Sequence, residues 1–291
     1  MNKLIIKPFF DEVTCTVTYV LTDKATSQTA VIDPVLDYDA NSGKLSSTSI
    51  DAVIDHIDSN NLRLEWILET HAHADHVSAA AYLKNKRGGQ IGIGEHIKTV
   101  QSTFKAAFNF GSEMHCDGRQ FDYLFEDGEL LTLGHLAIEV KHTPGHTPAC
   151  ASYLIEDAVF VGDTIFMPDF GTARTDFPNG SAKALYQSIQ KLLALPEHTR
   201  MFVGHDYKSP TRDVYAWETT VLEQKRNNIH VKTGSNENDF IKMRNTRDAT
   251  LPVPKLLLPA IQLNIRSGQL PPQESNGQSY LKIPLTVSFS Q

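Results

Sequence analysis

In the first third of the chain, apolar positions fall into short runs separated by turn residues. "TCTVTYVLTD" (14–23), "TAVIDPV" (29–35) and "LEWILET" (64–70) are rich in β-branched and aromatic residues, and each predicts a strand. Similar runs recur at "LAIEVKHT", "AVFVGD" and "MFVGHD" (136–143, 158–163 and 201–206). The period turns helical at 179–196, "NGSAKALYQSIQKLLALP". There Leu185, Ile189, Leu192 and Leu193 share a face, Ser181 stands as N-cap, and Pro196 follows the last turn. A second helix is expected over "VSAAAYLKNKR" (77–87), with His76 opening it and cations at its C-terminal end before Gly88-Gly89. Strands and helices mixed throughout predict a layered α/β or α+β domain.

The pattern changes near residue 231. "KTGSNEND" (232–239) is loop-like, and residues 251–285 combine many prolines with apolar residues, which forbids one long helix. This divides the chain into a catalytic domain, 1–230, and a Pro-rich C-terminal extension, 231–291. The extension is expected to pack on the domain or on a partner subunit, so a homodimer is one outcome.

Composition adds limits. The 291 residues carry a net charge of -7, which disfavours a nucleic-acid partner, because phosphate-backbone binding needs a basic face. The 3 cysteines, Cys15, Cys116 and Cys150, are too few and too scattered for a disulfide framework, and point to a reducing compartment. The chain has no run suited to spanning a bilayer, and its first residues resemble neither a signal nor a transit peptide. The expectation is a soluble cytoplasmic protein with no membrane partner.

The chemistry concentrates in "ETHAHADHVS" (69–78), which holds His71, His73, Asp75 and His76 of a chain with 12 histidines in all. In an extended chain His71, His73 and Asp75 lie two apart and share a side. Three further apolar strands lead into the same kind of residue: His146, Asp163 and His205 each follow one. Rigid scaffolds commonly place sites at strand ends. Several imidazoles and carboxylates without thiolate suit Zn or Fe(II). The remaining histidines, including His142, read as surface or satisfied core residues, and Cys150 as a buried inert thiol. "GGQIGIG" lacks the glycine spacing of a dinucleotide loop.

"THAHADH", "TPGHTP", "VGDT" and "VGHDY", in this order, resemble the metallo-β-lactamase superfamily. The resemblance implies a four-layer αββα sandwich with a metal site at one edge between two sheets. Two branches then compete. Likeness to glyoxalase II implies two metals, such as Zn(II): His71, His73 and His146 on one, Asp75, His76 and His205 on the other, Asp163 bridging, and hydrolysis of a thioester or lactone. Likeness to the persulfide dioxygenases implies one Fe(II) per chain held by His71, His146 and Asp163, with His73, Asp75, His76 and His205 around it. The partners would then be glutathione persulfide and O2.

The stretch "GTARTDFPNGSAKALYQSI" and the tail "LPAIQLNIRSGQLPP" resemble the dioxygenase branch, whereas glyoxalase II carries a helical substrate domain. By the same resemblance Arg174 is a candidate substrate contact; Tyr207, after His205-Asp206, is placed to hydrogen-bond substrate, and Lys225 and Arg226 are weaker candidate cations, since a helix with "EQKR" usually presents a solvated face. Where the family carries Asn-Pro, this chain reads Asn227-Asn228. The competing reading from another class is a non-catalytic protein using the metal as a clamp. Its closed four-ligand site would not need seven candidate ligands.

Overall fold

The structure is a computed structural model that describes residues 3–285. In chain order its strands are β1 (Leu4–Asp11), β2 (Thr16–Asp23), β3 (Gln28–Ile32), β4 (Val35–Asp39), β5 (Lys44–Ser46), β6 (Arg63–Leu68), β7 (Val77–Ser78), β8 (Gln90–Gly94), β9 (Tyr123–Phe125), β10 (Leu130–Leu133), β11 (Leu136–His142), β12 (Ala151–Ile155), β13 (Ala158–Phe160), β14 (Arg200–Phe202) and β15 (Glu218–Thr220). The helices are α1 (Thr48–Ser59), α2 (Ala80–Arg87), α3 (Ile97–Ala107), α4 (Ala182–Leu193), α5 (Val221–Asn227), α6 (Glu237–Asp248) and α7 (Leu257–Asn264). One 6-stranded sheet runs β1-β2-β3-β6-β8-β9, and a second runs β10-β11-β12-β13-β14-β15.

The period-two alternation of the strands explains the layering. On β2 and β3, Val20 and Val31 point to one side, where they join Ile67, Ile91 and the apolar faces of α1, α2 and α3. Tyr19, Leu21, Ala30 and Ile32 point to the other side and meet Ile138, Tyr153, Phe160 and Phe202 of the second sheet. That sheet buries Val159, Met201 and Val203 on its far face against Leu185, Ile189 and Leu192 of α4 and Phe240 of α6. Both sheets are covered on both faces, giving the order helices, sheet, sheet, helices, as the resemblance implies.

The loops that end the central strands are tied to one another at one edge. β13 and β14 pair in parallel, so residues 161–163 and 203–205 leave on the same side. Thr70 beyond β6 accepts from Ala151 N at 2.8 Å, and Val17 N donates to Gly204 O at 2.9 Å. Gly162, at φ +47, lets the loops close up: a Cβ there would lie 2.6 Å from the Cβ of Thr70.

Two expectations change. Val77-Ser78 is not the first turn of a helix opened by His76. It forms β7, paired antiparallel to Val35-Leu36, and α2 begins at Ala80. This long-range pairing overrides local helix propensity. The segment beyond 231 is also more helical than expected. Asn236, inside the stretch read as loop, caps α6 by accepting from Asn238 N and Asp239 N. α7 accommodates Pro259 because it falls in the first turn, where amide hydrogens lack helical partners. Both helices pack on this chain: Phe240 joins the core under α4, and Ile261 and Ile265 join the core under the first sheet. Among the described residues no helix is long and apolar enough to cross a membrane.

Candidate metal centre

The loop after β6 does not stay extended, so its histidines divide. Nitrogen and oxygen atoms of His71, His146 and Asp163 lie within 4.8 Å of one another. Atoms of His73, Asp75, His76 and His205 form a second such group. The sharing of one side expected for His71, His73 and Asp75 is thereby corrected: bends at residues 74–76 send His73 and Asp75 toward His76 and His205. All seven residues come together from distant parts of the chain. All but Asp75 are buried.

One atom of most of these residues is anchored by the protein while the other faces the centre. His146 Nδ1 donates to the carbonyl oxygen of Arg174 at 2.8 Å. His71 Nδ1 stands 3.0 Å from Thr70 Oγ1. Thr16 Oγ1 lies 3.3 Å from both His76 Nδ1 and His205 Nδ1. His73 is reversed: its Nε2 meets Asp33 Oδ1 at 3.0 Å and Glu69 Oε2 at 3.3 Å. Asp33 also accepts from Thr70 N at 2.7 Å and Thr70 Oγ1 at 2.8 Å, so one buried carboxylate fixes two consecutive parts of the loop.

Charges follow from this packing. Burial, reinforced by the neighbouring His73 and His146, holds His71 well below the ordinary histidine range. Burial and His73 together bring His76 down to about 4. At His205 burial acts downward, but the Asp163 and Asp75 carboxylates outweigh it and raise the imidazole to about 9. Its Nε2 stands 2.9 Å from Asp75 Oδ2 and 3.3 Å from Asp163 Oδ1. Burial raises the Asp163 carboxyl.

The arrangement fits a metal ion on its own evidence. His71 Nε2, His73 Nδ1 and His76 Nε2 are buried without a hydrogen-bond partner, and Asp75 Oδ2, Asp163 Oδ1 and His205 Nε2 are buried with no partner besides one another. Buried polar atoms are rarely left so, and a cluster of them at one point is what a cation would satisfy. Imidazole nitrogen and carboxylate oxygen are the donor types that Zn and Fe(II) accept.

Beside the centre lies a cavity of about 1050 Å³ whose lining includes Asp75, His146 and Asp163. Tyr207 lines it, with its ring stacked on His205 at 5.6 Å and against Phe170 at 5.3 Å. Arg174 lines it too, but its guanidinium is already engaged: Nε and Nη2 reach Asp176 at 2.6 Å each, and Nη1 reaches the Pro252 carbonyl at 2.9 Å.

Lys225 and Arg226 are a correction. They sit on α5, outside the cavity lining, and Lys225 faces Glu197 at 3.5 Å. The cations that do line it, besides Arg174, are Arg244, Arg247 and Lys255 of the C-terminal segment. Arg244 is buried and bound to Asp248, whereas Arg247 and Lys255 are exposed and have no ion-pair partner among the described residues. Sequence reasoning missed these two because nothing local marks a surface cation that folding brings to the same cavity as Asp75, His146 and Asp163. Cys150 is buried as expected, its thiol pushed up to about 12 by burial.

Comparison with known proteins agrees with this geometry. The family model of the metallo-beta-lactamase superfamily matches residues 12–205. Glyoxylase B2 of Dictyostelium discoideum is 51% identical, over 98% of this chain and 98% of its own. The chain is 50% identical to a beta-lactamase hydrolase-like protein of Agrobacterium fabrum, but spans only 65% of that protein's length. The mitochondrial persulfide dioxygenase ETHE1 of Homo sapiens is 30% identical, over 91% of this chain and 89% of its own. Among solved structures, ETHE1 from Myxococcus xanthus superimposes with a TM-score of 0.73 at 31% identity, covering 91% of this chain and 100% of that one. With the ligand motifs gathered at one edge of a four-layer sandwich, the chain belongs to the metallo-beta-lactamase superfamily.

Proposed function

We propose that this protein is a glutathione persulfide dioxygenase that uses one Fe(II) per chain, held by His71, His146 and Asp163. The observation that carries this reading is that those three residues form a compact two-histidine, one-carboxylate group, with His73, Asp75, His76 and His205 gathered directly beside it. Such a triad leaves coordination positions open on one side, which suits dioxygen chemistry. The iron would supply redox reactivity toward dioxygen and a Lewis-acidic contact for the persulfide sulfur. The kinship with the two ETHE1 proteins supports the same reading.

The chain's own groups do the rest. His146 and Asp163 open onto the cavity, so a substrate sulfur can approach the triad from that side. Phe166 and Phe170 form an apolar wall suited to the sulfur-bearing segment. Tyr207 lines the same cavity. Arg247 and Lys255, at the cavity, meet the charge of glutathione's carboxylates, so an acidic protein can still take an anionic substrate. His73, Asp75, His76 and His205 orient the triad and hold protons beside it. The balance is one persulfide, one O2 and one water giving glutathione, sulfite and two protons. Both oxygen atoms of O2 end on the outer sulfur, and water cleaves the S–S bond.

The test is dioxygen uptake by the iron-replete protein on adding glutathione persulfide, with sulfite measured as product. Uptake matched by sulfite is expected; absence of uptake would sink the proposal. A dinuclear hydrolase is the second reading. The convergence of Asp75 Oδ2, His76 Nε2 and His205 Nε2, buried with no other hydrogen-bond partner, favours it, since they could hold another ion. The name of the Dictyostelium relative points the same way. It requires two metals per chain and turnover of S-lactoylglutathione without O2.

A further inference from the structure

We infer that Asn264, at the C-terminal end of α7, is a positioning residue that holds the metal-ligand loop in shape, so that the C-terminal segment is part of the metal centre. Its side-chain nitrogen donates to the carbonyl oxygens of His73 at 2.9 Å and His76 at 2.8 Å. Its side-chain oxygen accepts from Ser78 N at 2.8 Å. One amide thus spends both of its donors and one acceptor position on a stretch of six residues that carries three candidate ligands.

The stretch needs such help. Residues 73–76 have no regular secondary structure, so their carbonyls have no strand or helix partner. They are enclosed by the fold, where an unmet carbonyl is costly. Asn264 is itself buried, and is held in place by Ile261, Leu263 and Ile265 on α7 and just beyond it, all fully buried. The chain continues across the same loop. Ser267 O accepts from Ala81 N at 3.2 Å. Gly268, at φ +80, lies so close that a Cβ would stand 2.5 Å from Ser78 O.

The contacts are selective. They touch the stretch bearing His73, Asp75 and His76, and not the segments that carry His146 and Asp163. Asn264 therefore governs one part of the centre, independently of which metal binds or which reaction follows.

Amide hydrogen exchange on the full-length protein as isolated tests this. Asn264→Ala and Asn264→Asp are compared with wild type, segment by segment. Aspartate has the same shape and keeps the acceptor for Ser78 N, but lacks both donors. The expected result is exchange at least tenfold faster over residues 69–79 in both variants, with wild-type rates in the segments carrying His146, Asp163 and His205. Wild-type protection over 69–79 would overturn the inference. So would an equal rise in every segment, or full restoration by aspartate, because shape alone would then suffice. If neither variant folds, Asn264→Gln carries the test: it keeps the amide but carries it one methylene further from the His73, His76 and Ser78 partners, and the same localised rise is expected. A wild-type rate there would overturn the inference equally.

Discussion

His146 Nδ1 donates to the carbonyl oxygen of Arg174 at 2.8 Å, so the direction of one ligand is set by the main chain of a loop. The Arg174 guanidinium pins that loop to Asp176 and to the Pro252 carbonyl. Replacing Arg174 with Ala frees the loop without touching the metal. Metal affinity is expected to fall about 10- to 100-fold, as for other outer partners of ligands. Lysine should not rescue it, since an ammonium cannot make the paired contact to a carboxylate. Competition with a chromogenic chelator measures both variants; unchanged affinity in Arg174→Ala would refute the link.

The two groups of ligands make a sharper comparison. Asp163→Ala should abolish iron binding. His73→Ala should leave most of the iron and lower activity by about 10- to 100-fold. Elemental analysis of the purified variants decides the matter. Equal loss of metal from both would favour two ions sharing all seven residues.

Loading a second ion should depend on pH. His205, raised to about 9 by Asp163 and Asp75 against the effect of burial, carries a proton at neutral pH and must lose it to become a ligand. Apparent affinity for a second equivalent of zinc is expected to rise with pH until His205 has lost its proton and then level off, and an ion already on Asp163 moves that plateau below about pH 9. A flat titration would show that His205 is not involved.

Arg247 and Lys255 line the cavity without ion-pair partners among the described residues, while Lys225 lies elsewhere and faces Glu197. Arg247→Ala should raise KM for an anionic persulfide severalfold and leave kcat nearly unchanged, because it removes binding common to ground and transition states. Lys225→Ala should change neither. A fall in kcat with unchanged KM in Arg247→Ala would contradict this placement.

Stability should carry an acid-side signature from His230. Burial, with the charges of Arg244 and Arg247, lowers its imidazole to about 4. Unfolded, it titrates near the ordinary ~6.5. Between those values the unfolded chain takes a proton that the native state refuses, so stability falls as pH drops from about 6.5 toward 4. His230 Nδ1 accepts from Thr172 N at 3.1 Å, a role that asparagine can keep. His230→Asn should lose less stability than wild type between pH 7.5 and 5 in thermal melts. Parallel losses would exclude His230 as the source.

Much of this was legible in the sequence where the signal is local. The strands before His71, Asp163 and His205 lie where their apolar runs predict, and Ser181 caps α4 by accepting from Ala184 N. The ligands stood out because each is a metal-type side chain just past an apolar run. What sequence could not show depends on distant partners. β7 exists only because Val35 pairs with Ser78. Nothing local separates Lys225 and Arg226 from Arg247 and Lys255; only folding does. Asn264 contacts Ser78 across 186 positions, and no local pattern distinguishes it from any other asparagine.

The same long separation bears on biosynthesis. Translation delivers His71 early, Asp163 well after it, and Asn264 near the end of the described chain. Domains fold largely as their residues emerge from the ribosome. A nascent chain can therefore present every imidazole and carboxylate of the centre while the loop bearing three of them still lacks its brace. Secure metal acquisition would then wait until Asn264 has emerged and docked, long after the ligands themselves are made.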